Sequence, residues 1–195
     1  MPPDPEIHYL KPNAYAPNSD LPVLVYRDVL PLPLTETTAT TFLEGHGWER
    51  RGVWGHIAVR HFHPNSHECY GIFQGSSTLL LGCGSGSSDP STAGGLHVDV
   101  HAGDVVVLPA GTAHCSVEST LDYRYVGVYP KGCPRWRNEL GKGPVDEKAL
   151  RQEILAVALP TQDPVTGPEG ALTLDVNLNM HMHMEMEMEM EMKRK

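Results

Sequence analysis

Four side chains near the middle of the sequence are of types and spacings that could hold a metal ion: His61, His63, Glu68 and His114. His61 and His63 are two apart, and on a strand residues i and i+2 point to the same face. Pro64-Asn65-Ser66 then interrupts the strand, so Glu68 can return on the next one and aim at the same interior. Two imidazoles and a carboxylate converging from adjacent strands resemble the grouping that binds a first-row metal and leaves coordination positions open. In the segment from Gly103 to His114, the Pro109-Ala110-Gly111 turn reverses the chain, and His114 can enter from a third strand. Burying that many titratable groups without a cation would be costly. A set of imidazoles and one carboxylate, with no thiolate, argues against a closed structural zinc site.

Strand parity sorts the neighbours. Tyr70 and Ile72 share the parity of Glu68, and Ile57 and Val59 that of His61, so these should line a mainly apolar pocket suited to a small organic ligand. Tyr70 is a candidate proton or hydrogen-bond donor. Glu118 shares the parity of His114 and is a candidate general base, or else an exposed strand-end carboxylate. His67 precedes Glu68 and should face the other way, as a surface or interface residue and an alternative ligand. His56 points out, and His97 and His101 are read as structural. Cys69 and Cys115 flank ligands with outward parity and lack a basic partner to lower their pKa. Arg60 and Arg124 could hold a substrate carboxylate but are read as surface residues. Phe62 and Phe73 should lie under flanking arms or at a dimer contact.

The elements that must position these groups are short. Candidate strands fall near 53–63, 67–74, 77–82, 96–101, 104–108, 113–118 and 121–129, preceded by the strand-like run Val23 to Tyr26. Several short strands at this spacing argue for an all-β sandwich or barrel. Gly82 to Gly95 reads as a Gly/Ser-rich hairpin loop. Two short helices flank the barrel. One covers about 35–46, with Thr35 as its cap and Phe42 and Leu43 as its large apolar residues, which suggests a surface helix. The other covers about 146–158, capped by Asp146. The resulting organisation is an extended arm over 1–20, a barrel with its helices over 21–160, and a C-terminal arm over 161–179 with a turn at Thr166-Gly167-Pro168. The strictly alternating Met/His/Glu tail over 180–195 is of low complexity and reads as disordered.

Composition sets the outer bounds. A chain of 195 residues suggests one domain, and the 36 Gly and Pro residues (19 and 17) disfavour a helix bundle. The formal net charge of -9, with no basic cluster before Lys193-Arg194-Lys195, disfavours nucleic-acid and anionic-membrane partners. No apolar run approaches the ~18 residues of a membrane span, and the N-terminus lacks a secretory pattern. Cys69, Cys83, Cys115 and Cys133 contain no CxxC pair and read as reduced thiols of a cytoplasmic protein.

The two motif-bearing segments resemble those of the cupin superfamily. Gly55 to Gly75 has the pattern Gly, five residues, His-x-His, four residues, Glu, six residues, Gly. Gly103 to His114 has Gly, five residues, Pro-x-Gly, two residues, His, with Glu118 where Asn is usual. More closely, the chain is similar to small single-domain cupins of the YjlB type. The likeness extends to Leu21-Pro22-Val23-Leu24-Val25-Tyr26-Arg27, His67-Glu68-Cys69-Tyr70-Gly71 and Asp163-Pro164-Val165-Thr166-Gly167, and covers roughly residues 6 to 176. The resemblance implies a double-stranded β-helix, the cupin jelly roll, with a site inside the barrel mouth. It implies one divalent metal, Fe(II) or Mn(II) ahead of Ni(II) or Zn(II), and a homodimer. The expected activity is metal-dependent chemistry on a small organic molecule, oxidoreductase or dioxygenase first and isomerase or lyase second. The rival reading is a metal- or ligand-binding module without catalysis. No nicotinamide, flavin or phosphate-cradling motif is present.

Overall fold

The computed structural model describes residues 4–88 and 94–173. The Met/Glu tail, the end of the C-terminal arm and part of the Gly/Ser loop lie outside the described residues. The strands are β1 (Glu6–His8), β2 (Val23–Tyr26), β3 (Trp48–Trp54), β4 (Glu68–Gln74), β5 (Ser76–Leu81), β6 (Leu96–His101), β7 (Val105–Leu108), β8 (His114–Ser119) and β9 (Arg124–Pro130). Helix α1 spans Glu36–Glu44 and α2 spans Glu147–Leu155. Six strands form one sheet in the order β1-β2-β7-β4-β9-β3, and β6-β5-β8 form a second. Every pairing is antiparallel. This is the all-β, two-sheet antiparallel jelly roll expected from the motifs.

Apolar runs such as Val23–Tyr26 and Val105–Leu108 do not alternate, because the large sheet is covered on both faces. On its inner face Val23, Val25, Tyr70, Ile72 and Val106 pack against Leu79, Leu81, Val98 and Val100 of the small sheet. On its outer face Leu24, Tyr26, Val105, Val107 and Val128 pack under Leu43 of α1 and under Val165 and Leu172. The small sheet alternates as a one-sided sheet should: in β6, Val98 and Val100 are buried while His97, Asp99 and His101 face out.

Helix α1 is capped by Thr35, whose hydroxyl accepts the Thr38 amide at 3.2 Å. The expected surface helix is corrected by its burial: Leu43 is fully buried, and Ala39 nearly so. Gly71 in β4 makes room for it, since a Cβ there would meet Leu43 Cδ1 at 2.8 Å. One large and one small apolar residue are a weak amphipathic signal, so the sequence pattern underrates the contact.

Two further expectations change. The strand over 53–63 is instead β3 ending at Trp54, followed by irregular chain that touches its neighbours through the isolated bridges His61↔His114 and Phe62↔Glu139. Residues 161–173 are no free arm. Their turn closes as an Asp163↔Gly167 bridge, and the buried Asp163 carboxylate accepts the Tyr26 hydroxyl at 2.6 Å and the amides of Val165, Thr166 and Leu172. At the other end of the chain, part of the expected N-terminal arm is β1, which extends the large sheet beside β2. Phe62 is fully buried with Ala16, Ala113, Val145 and Leu150, under the flanking segments rather than at a free surface.

Candidate metal centre

The barrel geometry brings the ring nitrogens of His61, His63 and His114 together, one donor atom from each lying within 4.8 Å of the others. Backbone pairing places them. His61 and His114 exchange amide-to-carbonyl bonds of 3.1 and 2.8 Å, which sets their rings 4.4 Å apart between centroids. The Pro109–Gly111 turn is tied to the first segment by the Gly111 amide, which donates to the His63 carbonyl at 2.8 Å. Gly111 has φ of 85°, a left-handed conformation that glycine adopts without strain, and Ile154 of α2 packs against it.

Each imidazole is oriented in the same way. His61 Nδ1 donates to the Val59 carbonyl at 2.7 Å, His63 Nδ1 to the Arg137 carbonyl at 3.0 Å, and His114 Nδ1 to the Thr112 carbonyl at 2.9 Å. Each ring thus turns Nδ1 to the main chain and Nε2 away from it, the orientation in which Nε2 can ligate a cation; His63 Nε2 meanwhile hydrogen-bonds Glu68. Glu68 joins two of them: its Oε2 lies 3.1 Å from His63 Nε2 and 3.3 Å from His114 Nε2. Its other oxygen, Oε1, accepts the Tyr129 hydroxyl at 2.5 Å. Trp136 stacks on the Tyr129 ring with centroids 4.8 Å apart and holds it there.

The electrostatics match a site built for positive charge. Burial alone would raise Glu68, but the adjoining His114 and His63 outweigh it and hold the carboxyl below the usual carboxylate range. Burial acts to lower His63, yet the hydrogen bond and charge of Glu68 raise it. Burial and the neighbouring His114 pull His61 down to about 3, so that ring is neutral. His114 Nε2 is buried with no hydrogen-bond partner. An orphaned buried nitrogen costs about 1 to 3 kcal/mol, and a divalent cation shared with Glu68 would relieve it. The donor set therefore fits an ion with a taste for imidazole and carboxylate.

Above the histidines lies a cavity of about 360 Å³, lined by the expected Ile57, Val59 and Tyr70, and by Trp54, Tyr125, Trp136, Asn138 and Leu140; the expected Ile72 is instead packed in the core between the sheets, and Ile57 and Val59 reach the cavity from irregular chain rather than from a strand. Tyr70 stacks on Tyr125 at 3.9 Å and meets the His114 ring edge-on at 5.9 Å. Burial and the Glu68 charge push the Tyr70 hydroxyl well up, so it stays protonated and can donate. Glu118 is not brought to the site: it is exposed on β8, opposite Thr78, and lines a separate surface cleft. His67 is corrected too. It does face away from the histidines, but it is 2% exposed rather than at the surface, and its Nδ1 accepts the Ala110 amide at 3.0 Å. Arg60 and Arg124 donate to the carbonyls of Ser87 and Tyr123 and do not line the cavity.

Sequence reading missed Trp54, Tyr125, Tyr129, Trp136 and Asn138. Tyr125 and Tyr129 had a signal, since they share one parity in β9, but their place depends on the register Ile72↔Tyr125 and Tyr70↔Gly127. Trp54 needs Gly127 and Gly52 beneath it, where a Cβ would overlap its ring. Trp136 and Asn138 come from an irregular loop with no period to read.

The chain is 31% identical over 149 residues to the uncharacterized protein YjlB of Bacillus subtilis (strain 168), covering 76% of this chain and 81% of that one. It belongs to the YjlB family. No family model matches the chain. Among solved structures, it is similar to a DUF861 family protein of Thermotoga maritima at 17% identity, covering 54% of this chain and 96% of that one with a TM-score of 0.31. It is similar at 14% identity to Lactobacillus farciminis oxalate decarboxylase in a formate complex, covering 67% of this chain and 33% of that one with a TM-score of 0.32. Procruciferin, an 11S globulin of Brassica napus, is 10% identical, with 64% of this chain and 26% of that one covered and a TM-score of 0.34. The chain thus spans a third or less of the last two proteins. Among the described residues, no helix is long and apolar enough to cross a membrane.

Proposed function

We propose that this YjlB-family chain is a metal-dependent cupin acting on a small organic molecule inside the barrel, with His61, His63, Glu68 and His114 holding one divalent ion, Fe(II) or Mn(II) ahead of Ni(II) or Zn(II), and chemistry of the oxidoreductase, dioxygenase type. The observation that carries this reading is the shared orientation of the three imidazoles, each with Nδ1 bound to a carbonyl, their donor atoms within 4.8 Å of one another and Glu68 beside His63 and His114. Bound there, such an ion supplies Lewis acidity or, if iron, redox chemistry toward O2.

The chain's own residues do the rest. Tyr129 fixes Glu68 through Oε1 and leaves Oε2 toward the histidines. The aromatic and aliphatic lining excludes water from a ligand seated above them. Tyr70, protonated and in that lining, offers a donor to an oxygen or nitrogen of the ligand.

Anaerobic purification followed by elemental mass spectrometry tests the reading. About one first-row metal per chain in the wild type, lost in His63→Ala and His114→Ala, is the expected result. A wild type that arrives without metal and takes up none of Fe(II), Mn(II), Ni(II) or Zn(II) overturns it. With metal present, oxygen consumption in a screen of small organic substrates separates oxidative chemistry from the binding role.

A further inference from the structure

From the lining of the cavity we infer the class of its ligand: a flat, conjugated ring system carrying at most one negative charge, and not a dicarboxylate. This rests on the proposed metal-dependent function and narrows it.

Two observations carry the inference. The first is a run of aromatic rings beside the histidines. Tyr129 stacks on Trp136 at 4.8 Å, Trp136 meets Trp54 edge-on at 6.1 Å, Trp54 lies 6.1 Å from Tyr125, and Tyr125 stacks on Tyr70 at 3.9 Å. Glycine at 127 and 52 is what lets the Trp54 ring lie over the sheet. Such a surface recognises the face or edge of another ring and gains little from a short polar chain. The second is charge. Among the described residues, Glu68 is the one carboxylate in the lining, Asn138 adds a neutral amide, and no lysine or arginine lines the cavity. A divalent ion held by three neutral imidazoles and Glu68 keeps one positive charge, enough for one anionic oxygen donor. A second negative charge would be buried with no cation to meet it. The nearby arginines cannot answer it, since Arg60 and Arg124 are engaged by backbone carbonyls outside the cavity.

Isothermal titration calorimetry on metal-loaded protein, with metal content measured on each sample, tests this with 2-naphthol and oxalate as probes. The expected result is a Kd for 2-naphthol at least tenfold below that for oxalate. Trp54→Ala and Trp136→Ala should each weaken 2-naphthol at least tenfold while oxalate changes less than twofold. Leu140→Arg, which sets a cation in the lining, should strengthen oxalate at least tenfold and keep the fold. Tighter binding of oxalate than of 2-naphthol by the wild type overturns the inference. So does unchanged 2-naphthol binding in both tryptophan variants with their metal retained. If the wild type takes up no metal, the parent function falls. In that case 2-naphthol binding to the metal-free chain that disappears in Trp54→Ala still upholds the aromatic surface, and its absence overturns that as well.

Discussion

In both the barrel interior and the corner between β6 and β7, three side chains of ligand type bring donor atoms within 4.8 Å of one another. Inside the barrel these are His61, His63 and His114; at the corner they are Asp28, His101 and Asp104. The difference lies in what the donor atoms already do. At the corner, Asp104 is fully buried and its oxygens are taken: Oδ1 accepts the Asp28 amide at 3.1 Å, and Oδ2 accepts Arg27 Nη1 at 2.8 Å and the His101 amide at 3.1 Å. Asp28 and His101 are exposed, where water serves them equally well. The corner is a turn clasped by a satisfied carboxylate. In the barrel the backbone takes the three Nδ1 atoms, Glu68 meets His63 Nε2, and the buried His114 Nε2 is left without a hydrogen-bond partner. Proximity of ligand-type residues is thus common to a structural clasp and a candidate metal centre, and unsatisfied, buried donor atoms distinguish them.

That contrast can be broken in four places. Removing a barrel ligand should have the largest effect: His114→Ala should abolish stoichiometric metal by elemental analysis, and Asp104→Asn should leave the metal content at the wild-type level. Metal loss in the second variant would put the corner in the same class as the barrel. Next, Asp104→Asn should cost about 2 to 4 kcal/mol in chemical denaturation, because one buried group clasps two amides and an arginine. Third, Tyr129→Phe should retain the fold but weaken metal affinity about tenfold to a hundredfold, the range for partners that orient a ligand; competition with a chromophoric chelator measures it. The smallest effect belongs to His101→Ala, expected within about 0.5 kcal/mol of wild-type stability and with unchanged metal content, as for other surface substitutions.

The sequence made part of the barrel centre legible because some of its candidate ligands obey local rules. The proline break and the Pro-x-Gly turn translate into reversals within a few residues, while His61 and His63 come together from irregular chain through the bridges His61↔His114 and Phe62↔Glu139 rather than from a shared strand face. The strand segments in the rest of the barrel were legible for the same reason, through short apolar runs between Gly and Pro. What escaped depends on pairing across long separations. Tyr129 meets Glu68 only because β9 lies beside β4, and Trp54 turns inward over Gly127 of the neighbouring strand. The corner misled in the opposite sense: His101 shares a parity with His97, yet the side chain that matters there is Asp104, whose burial no periodicity announces. The segment after Trp54 was read as strand because its composition is strand-like, but its partners bind it one residue at a time.

The acceptors that aim His61, His63 and His114 are the carbonyls of Val59, Arg137 and Thr112. A carbonyl oxygen is present whatever the side chain, so the ring orientations are specified by the path of the main chain and not by the identity of a partner residue. Related chains are therefore free to exchange the side chains at these three positions without re-aiming the imidazoles. A loop such as the one carrying Trp136 and Asn138 can be rewritten to suit a new ligand while Arg137 continues to steady His63, provided the backbone keeps its course.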